Sequence, residues 1–69
     1  GGVRALPIEQ VEFSVRARRV LEQMNIHTLG ELAARSEAEL LSQKNFGVTS
    51  LNEMRQRLTD HGLHFRDAP

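Results

Sequence analysis

The hydrophobic positions of this chain follow the period of short helices rather than the alternation of strands. Ser14 is a candidate N-cap for a first helix of residues 15–24. The predicted apolar face of that helix consists of Val15, Val20, Leu21 and Met24. Thr28 and Glu31 have the spacing of a capping box, which predicts a second helix directly after Thr28. Its predicted core residues are Leu29, Leu32 and Ala33.

Two further helices are predicted in the second half of the sequence. Ser36 and Glu39 form another capping pair, and the third helix that follows would turn Leu40 and Leu41 inward. The segment Ser50–Glu53 repeats the pattern after Gly47, and a fourth helix is expected over about residues 48–60. The apolar stripe of this helix is Leu51, Met54 and Leu58. Gly62 is a candidate C-cap, with Leu63 folding back onto the helix end.

These elements predict one all-α domain, a compact bundle of four short helices plus an irregular N-terminal turn. We interpret residues 1–5 as a linker or an expression remnant and residues 65–69 as a frayed tail. The single domain would span residues 6–64. The residues expected to pack the N-terminal turn onto the helices are Leu6, Ile8 and Val11.

Two turns carry an apolar residue just before a helix start. Ile26 precedes the second predicted helix, and Phe46 precedes the fourth. In helix–hairpin–helix units such an apolar residue plugs the space between the two helices and fixes their angle. Ordinary packing of short helices gives the same spacing, so the pattern alone leaves both interpretations open.

Composition excludes several classes of function. The absence of cysteine rules out disulfides and thiolate metal sites. His61 and His64 straddle a predicted helix end, and no acid or cysteine completes a metal site with them. No nucleophile lies beside a candidate base, so we expect no catalysis, no cofactor and no metal. No apolar run is long enough to cross a membrane and no signal peptide is visible, so a cytoplasmic, monomeric domain is expected.

The distribution of charge says more than its sum. Nine Lys and Arg balance nine Asp and Glu, which argues against a non-specific nucleic-acid binder. However, Arg16, Arg18 and Arg19 crowd the start of the first helix, where the helix dipole disfavours cations. Arginine suits phosphates and narrow minor grooves. For Arg18 we favour ion pairing with Glu12 or Glu22, and for Arg16 and Arg19 a functional role.

The Gly47 turn supplies a second candidate feature. A turn that runs straight into a helix presents unpaired backbone N–H groups at the positive end of the helix dipole, which favours a bound phosphate. Together with the arginines, this turn predicts a small helical domain that holds a nucleic-acid backbone.

Several segments then match one family in order and spacing. They are Val15-Arg16, Leu21, Ile26-His27, Gly30-Glu31-Leu32, Glu39-Leu40-Leu41, Asn45-Phe46-Gly47 and Ser50-Leu51 with Glu53. From about Leu6 to Leu63, the sequence resembles the C-terminal domain of the bacterial RNA polymerase α subunit. The resemblance implies a helical fold with helix–hairpin–helix units, joined to the rest of RNA polymerase by a flexible linker. It also implies binding of A·T-rich double-stranded DNA upstream of promoters through the minor groove, docking of sigma factor and transcription activators, and a location at the bacterial nucleoid.

The resemblance also assigns roles to particular positions. It implies that Arg16 enters the minor groove, that Gly47 and Ser50 contact phosphate, and that Glu53 helps to hold the arginine region. Glu12, preceded by Glu9, falls on an acidic position implicated in sigma contact.

The sequence departs from the family pattern at three positions near this site. Well-studied members have asparagine at the position of Arg19, lysine at that of Thr49, and often a basic or polar residue at that of Val48. We expect Arg19 to reach a phosphate or the groove, and Thr49 to donate to phosphate without a charge.

Two other hypotheses stay open at this point. The fold could serve as a protein-interaction module with weak or no DNA binding, docking partners on the edge of Glu9 and Glu12 or on exposed helix faces. The same module could also belong to a protein other than a polymerase.

Overall fold

Four α-helices and two 3-10 turns form the fold in a computed structural model that describes residues 2–44 and 46–67. The helices are α1 (Val15–Gln23), α2 (Leu29–Ala33), α3 (Glu37–Leu41) and α4 (Val48–Asp60). The 3-10 turns, Val3–Ala5 and Ile8–Gln10, precede α1. The all-α prediction is confirmed. No helix within the described ranges is long and apolar enough to cross a membrane.

Hydrogen bonds that backbone N–H groups donate to capping side chains confirm three of the predicted helix starts. The Ala17 N–H donates to Ser14 Oγ (3.3 Å) at the start of α1, and Ser36 forms a complete capping box at the start of α3. At α2, the Glu31 N–H donates to Thr28 Oγ1 (3.2 Å), but the Glu31 carboxylate accepts from the backbone N–H of His27 (2.7 Å) instead of that of Thr28. Local hydrogen bonds therefore set where these three helices begin.

The predicted capping box of Ser50 and Glu53 is wrong. The N-cap of α4 is Gly47, which is extended and has no side chain with which to cap the helix. Because the helix begins at Val48, Ser50 lies inside its first turn and is buried. Glu53 is thereby freed for a contact with another helix.

Two helix ends turn through a residue in the left-handed region. Asn25 (φ 57°) follows α1, and Gly62 (φ 75°) follows α4. In each case the next amide, that of Ile26 or Leu63, donates back to a carbonyl in the last turn of the helix, at 2.9 and 2.8 Å. This is the Schellman arrangement, and it turns both apolar side chains inward. The predicted cap at Gly62 is confirmed.

The core forms where the four helices and the N-terminal turn meet. Its fully buried large side chains are Leu21, Leu29, Leu32, Leu40, Met54, Leu58 and Phe65. Ile26 and Phe46 are buried in their turns, as helix–hairpin–helix units require. Two predicted core residues are exposed instead, Val15 by 68% and Leu41 by 44%. On α1, Ala17 takes the inward position because it shares a face with Val20 and Leu21 at helical spacing.

Residues 2–5 belong to the fold, contrary to the expectation of a linker. The turn Val3–Ala5 packs against α2, and Val3 contacts the core. Gly30 permits this approach, since a Cβ at that position would lie 2.8 Å from the backbone oxygen of Arg4. The Leu29 N–H also donates to the carbonyl of Leu6 (3.0 Å). The expectation for Gly1 falls outside the described residues.

The segment after α4 is also ordered by contacts, so the prediction of a tail that frays from residue 65 is wrong. Phe65 is fully buried. The Arg66 N–H donates to the carbonyl of Arg35 (3.1 Å), and Asp67 Oδ1 accepts from the Glu37 N–H (2.9 Å). Burial of the Phe65 ring holds the segment against the helices. Ala68 and Pro69 fall outside the described residues.

Candidate nucleic-acid interface

A cleft of about 420 Å³ opens between α1 and the turn that leads to α4. Its described lining residues are Val15, Arg16, Arg19, Val20, Gln23 and Lys44. Arg16 and Arg19 are exposed and three residues apart, which places them on one face of α1. Among these lining residues, Lys44 alone comes from outside α1. We call Arg16, Arg19 and Lys44 the cationic cleft.

The cations of this cleft have no carboxylate partner among the described residues, whereas most other described cations have one. Within residues 2–44 and 46–67, carboxylates pair with Arg35, Arg55, Arg57 and Arg66. In those same ranges no carboxylate lies within ion-pair distance of the cationic cleft, and none lines it. Three neighbouring uncompensated charges produce a positive potential that attracts an anion.

Glu53 joins α4 to the start of α1. Its Oε2 accepts from the Ser14 backbone N–H (2.5 Å), and its Oε1 accepts from the Ser14 hydroxyl (2.8 Å). Ser14 is the N-cap of α1, so the carboxylate also places negative charge at the positive end of that helix dipole. The contact fixes the first turn of α1, which carries Arg16.

The start of α4 presents backbone donors beside an open surface. The first intrahelical bond runs from the Leu51 N–H to the Gly47 carbonyl (3.1 Å), so the amides of residues 48–50 have no acceptor within the helix. Val48 and Thr49 are exposed, whereas Ser50 is only 6% exposed. These residues do not line the cationic cleft themselves, but they follow the turn that carries Lys44.

Within the part of the chain that the structure describes, Gly47 shows no intramolecular reason to be glycine. Its φ of −124° suits any residue, and a Cβ there would meet nothing within 4 Å. The position is therefore open to a close approach by another molecule, which is one of the uses of glycine.

The expected ion pairing of Arg18 with Glu12 or Glu22 is wrong, because Arg18 bonds to the backbone instead. Its guanidinium donates to the backbone carbonyls of Phe13 (3.4 Å) and Val11 (3.3 Å), and Arg18 is half-buried. Arg18 thus ties α1 to the segment before it.

The predicted docking residues lie apart from the cationic cleft in sequence and on a different element. Glu9 is exposed on the second 3-10 turn, and Glu12 is exposed shortly after it. Glu9 borders a second cavity of about 330 Å³, together with Arg18, Glu22 and His27 among other residues. Both signs of charge therefore surround that cavity.

A third surface has its charges compensated. Glu39 accepts from Arg35 (3.2 Å) and from Arg66 (3.0 Å), and Glu37 pairs with Arg55 (3.0 Å). The backbone hydrogen bond from Ser36, followed by that from the Arg35 guanidinium, holds the pKa of Glu39 below its ordinary value. The hydrogen bond to Glu37 raises the pKa of Arg55. We call Arg35, Glu37, Glu39, Arg55 and Arg66 the paired face.

Lys44 is the cleft residue that sequence reasoning missed. The structure brings it together with Arg16 and Arg19, both of which were expected at the site. Its signal in the sequence was weak but present, since it is the only charged residue in the segment 43–50.

Comparisons with known proteins agree with this architecture. The model of a family described as the C-terminal domain of the bacterial RNA polymerase alpha chain matches residues 3–60. Relatives called "DNA-directed RNA polymerase subunit alpha" come from Corynebacterium jeikeium, 49% identical, and Acidothermus cellulolyticus, 48% identical. Each similarity covers 94% of this chain and 19% of the relative, so the chain spans about a fifth of their length. The chain belongs to the family of C-terminal domains of the bacterial RNA polymerase α subunit.

Proposed function

We propose that this domain binds A·T-rich double-stranded DNA through the minor groove, with Arg16 entering the groove and Arg19 beside it. The observation that carries the proposal is the cationic cleft. Arginines with no carboxylate partner among the described residues, next to one another on an exposed helix face, are available to a polyanion.

The groove preference follows from the chemistry of arginine. A·T-rich tracts have a narrow minor groove with an enhanced negative potential, which attracts an inserted guanidinium. The minor groove barely distinguishes A·T from T·A, so selection by width and potential is expected rather than a base code.

The start of α4 supports a phosphate contact. Its unpaired amides and the dipole of a 13-residue helix favour an anion there. The open space at Gly47 lets a DNA backbone come close, and the exposed Thr49 hydroxyl is a neutral donor. Glu53 acts indirectly in this scheme, because it holds the α1 start rather than the DNA.

The family and the names of the relatives support a place in transcription. In this proposal the domain is a non-catalytic, cytoplasmic part of a bacterial RNA polymerase α subunit, monomeric in itself, and joined to the rest of the enzyme by a flexible linker. Sigma factor and activators would dock on it, and the exposed Glu9 and Glu12 form the edge that best suits a basic partner surface. A domain that docks proteins but binds DNA weakly is the second candidate, favoured by the uncharged start of α4.

Fluorescence anisotropy with a labelled A-tract duplex and a G·C-rich duplex of equal length tests the proposal. We expect tighter binding of the A-tract, weakened by added salt because phosphate contacts release counterions. Equal affinity for the two duplexes would contradict groove selection. No binding of either, combined with capture of a sigma factor lost in Glu12→Lys, would establish the docking function in its place.

A further inference from the structure

We propose that Lys44 is a phosphate contact that forms the second wall of the DNA-binding cleft, an assignment that rests on the proposed DNA-binding function. The first wall is the α1 face that carries Arg16 and Arg19. Among the described lining residues, Lys44 is the one that belongs to the turn before α4.

The charges on the turn favour this assignment. Lys44 is the only charged residue from position 43 to position 50, and the first turn of α4 consists of Val48, Thr49 and Ser50. The amides of that turn can hold a phosphate oxygen, but they release no counterion. Within residues 43–50, a salt-sensitive phosphate contact therefore has to come from Lys44.

Packing and a backbone hydrogen bond hold the turn in place beside the cleft. Phe46 is buried, and its N–H donates to the carbonyl of Gln43 (3.3 Å), so the turn is anchored on both sides of the exposed lysine. Lys44 is exposed and makes no ion pair within residues 2–44 and 46–67. Its ammonium is a compact charge on a flexible stem, suited to a phosphate that does not require bidentate geometry.

This role differs from that of Arg16 in a measurable way. A groove contact discriminates between sequences, whereas a phosphate contact weakens binding to all sequences alike when it is lost and changes the salt dependence. Each neutralised phosphate contributes about 0.9 to the slope of log affinity against log salt on duplex DNA.

The test measures dissociation constants over a salt series for the wild type, Lys44→Gln, Lys44→Arg and Arg4→Gln, with A-tract and G·C-rich duplexes. Arg4→Gln is the matched control, because it removes one exposed cation that does not line the cleft. We expect Lys44→Gln to reduce the steepness of the salt slope by about 0.9 and to weaken binding to both duplexes by the same factor. Lys44→Arg and Arg4→Gln should keep the wild-type slope.

Four results overturn the assignment. A wild type that binds but shares its slope with Lys44→Gln would remove Lys44 from the interface and leave the proposed function intact. Equal losses in Lys44→Gln and Arg4→Gln would reduce the effect to net charge, and a loss confined to the A-tract would make Lys44 a groove contact. A wild type that binds neither duplex would sink the proposed function, and this inference with it.

Discussion

The cationic cleft and the paired face each carry three cations, but in opposite arrangements. On the paired face every cation has a carboxylate partner, at 3.0 to 3.2 Å. In the cationic cleft, three cations share one concave surface without any carboxylate among the described lining residues. The protein has zero formal net charge, yet the cationic cleft brings three positive side chains together. Net charge alone therefore does not describe the local distribution of charge on so small a domain.

The two regions are also expected to differ in what they contribute, the paired face to stability and the cationic cleft to the proposed DNA binding. Arg66 of the paired face and the neighbouring Asp67 hold the C-terminal segment against α3. The cationic cleft places Arg16 in the first turn of α1, where the helix dipole opposes it. Substitutions on the paired face should change the free energy of unfolding, and those in the cleft should change DNA affinity.

The largest expected effect is that of Phe65→Ala, beside the paired face. Truncation of a fully buried phenylalanine destabilises a domain by about 3–5 kcal/mol. Chemical denaturation followed by circular dichroism measures it. Arg66→Gln is the control next to it, with a much smaller loss, because the arginine is 63% exposed. Equal losses would show that ion pairing rather than the ring holds the segment.

Arg16→Ala should be the largest change in the cleft. A well-placed groove contact is worth about 1–3 kcal/mol, so affinity for an A-tract duplex should fall by that amount. The unfolding midpoint should barely move, because Arg16 makes no ion pair within the described ranges. Arg55→Gln, on the paired face, is the matched control and should leave the DNA affinity unchanged. If Arg55→Gln weakened binding as much as Arg16→Ala, the division between the two regions would be wrong.

Glu53→Ala tests the link between α4 and α1. Loss of its two hydrogen bonds to Ser14 should destabilise the domain by about 0.5–2 kcal/mol, the range for a lost helix cap. Affinity for DNA should fall as well, because the first turn of α1 loosens. Glu53→Gln keeps one acceptor oxygen and should lose less stability and less DNA affinity than Glu53→Ala. If Glu53 acted only by repelling the DNA phosphates, its removal would strengthen DNA binding. Tighter DNA binding by Glu53→Ala would therefore refute the positioning role.

We expect acidification to change the stability contributed by the paired face more than that contributed by the cleft. This is the smallest of the expected effects. Since the folded-state pKa of Glu39 is lowered, its contribution to stability is complete above the ordinary glutamate pKa and is lost as the pH falls through the lowered value. The difference in thermal midpoint between the wild type and Glu39→Gln should therefore shrink in acid. A constant difference across the pH series would contradict this account.

Local signals were enough to predict most of the helix boundaries. Ser14, Thr28, Ser36 and Gly62 act on backbone groups within a few residues, so their spacing specified those helix ends. The pair Ser50 and Glu53 has the same spacing, but Gly47 starts the helix earlier and Glu53 bonds to Ser14, 39 residues away. No local pattern contains that partner.

Tertiary contacts account for the other differences between the sequence-based predictions and the structure. Phe65 and the turn Val3–Ala5 lie near the two ends of the sequence, where it shows little periodicity, and only the assembled helices offer them a surface. In the site, the helical spacing of Arg16 and Arg19 was visible in the sequence. Lys44 joins them only because a turn folds back over α1, which spacing along the sequence does not reveal.

The most direct test of the division between the two regions is an NMR titration of the isotopically labelled domain with an A-tract duplex. We predict that the amide shifts concentrate at Arg16, Arg19, Lys44 and the first turn of α4, and that they diminish with a G·C-rich duplex and with added salt. The amides of Glu37, Glu39 and Arg66 should stay in place. Larger shifts on the paired face than in the cationic cleft would contradict the account.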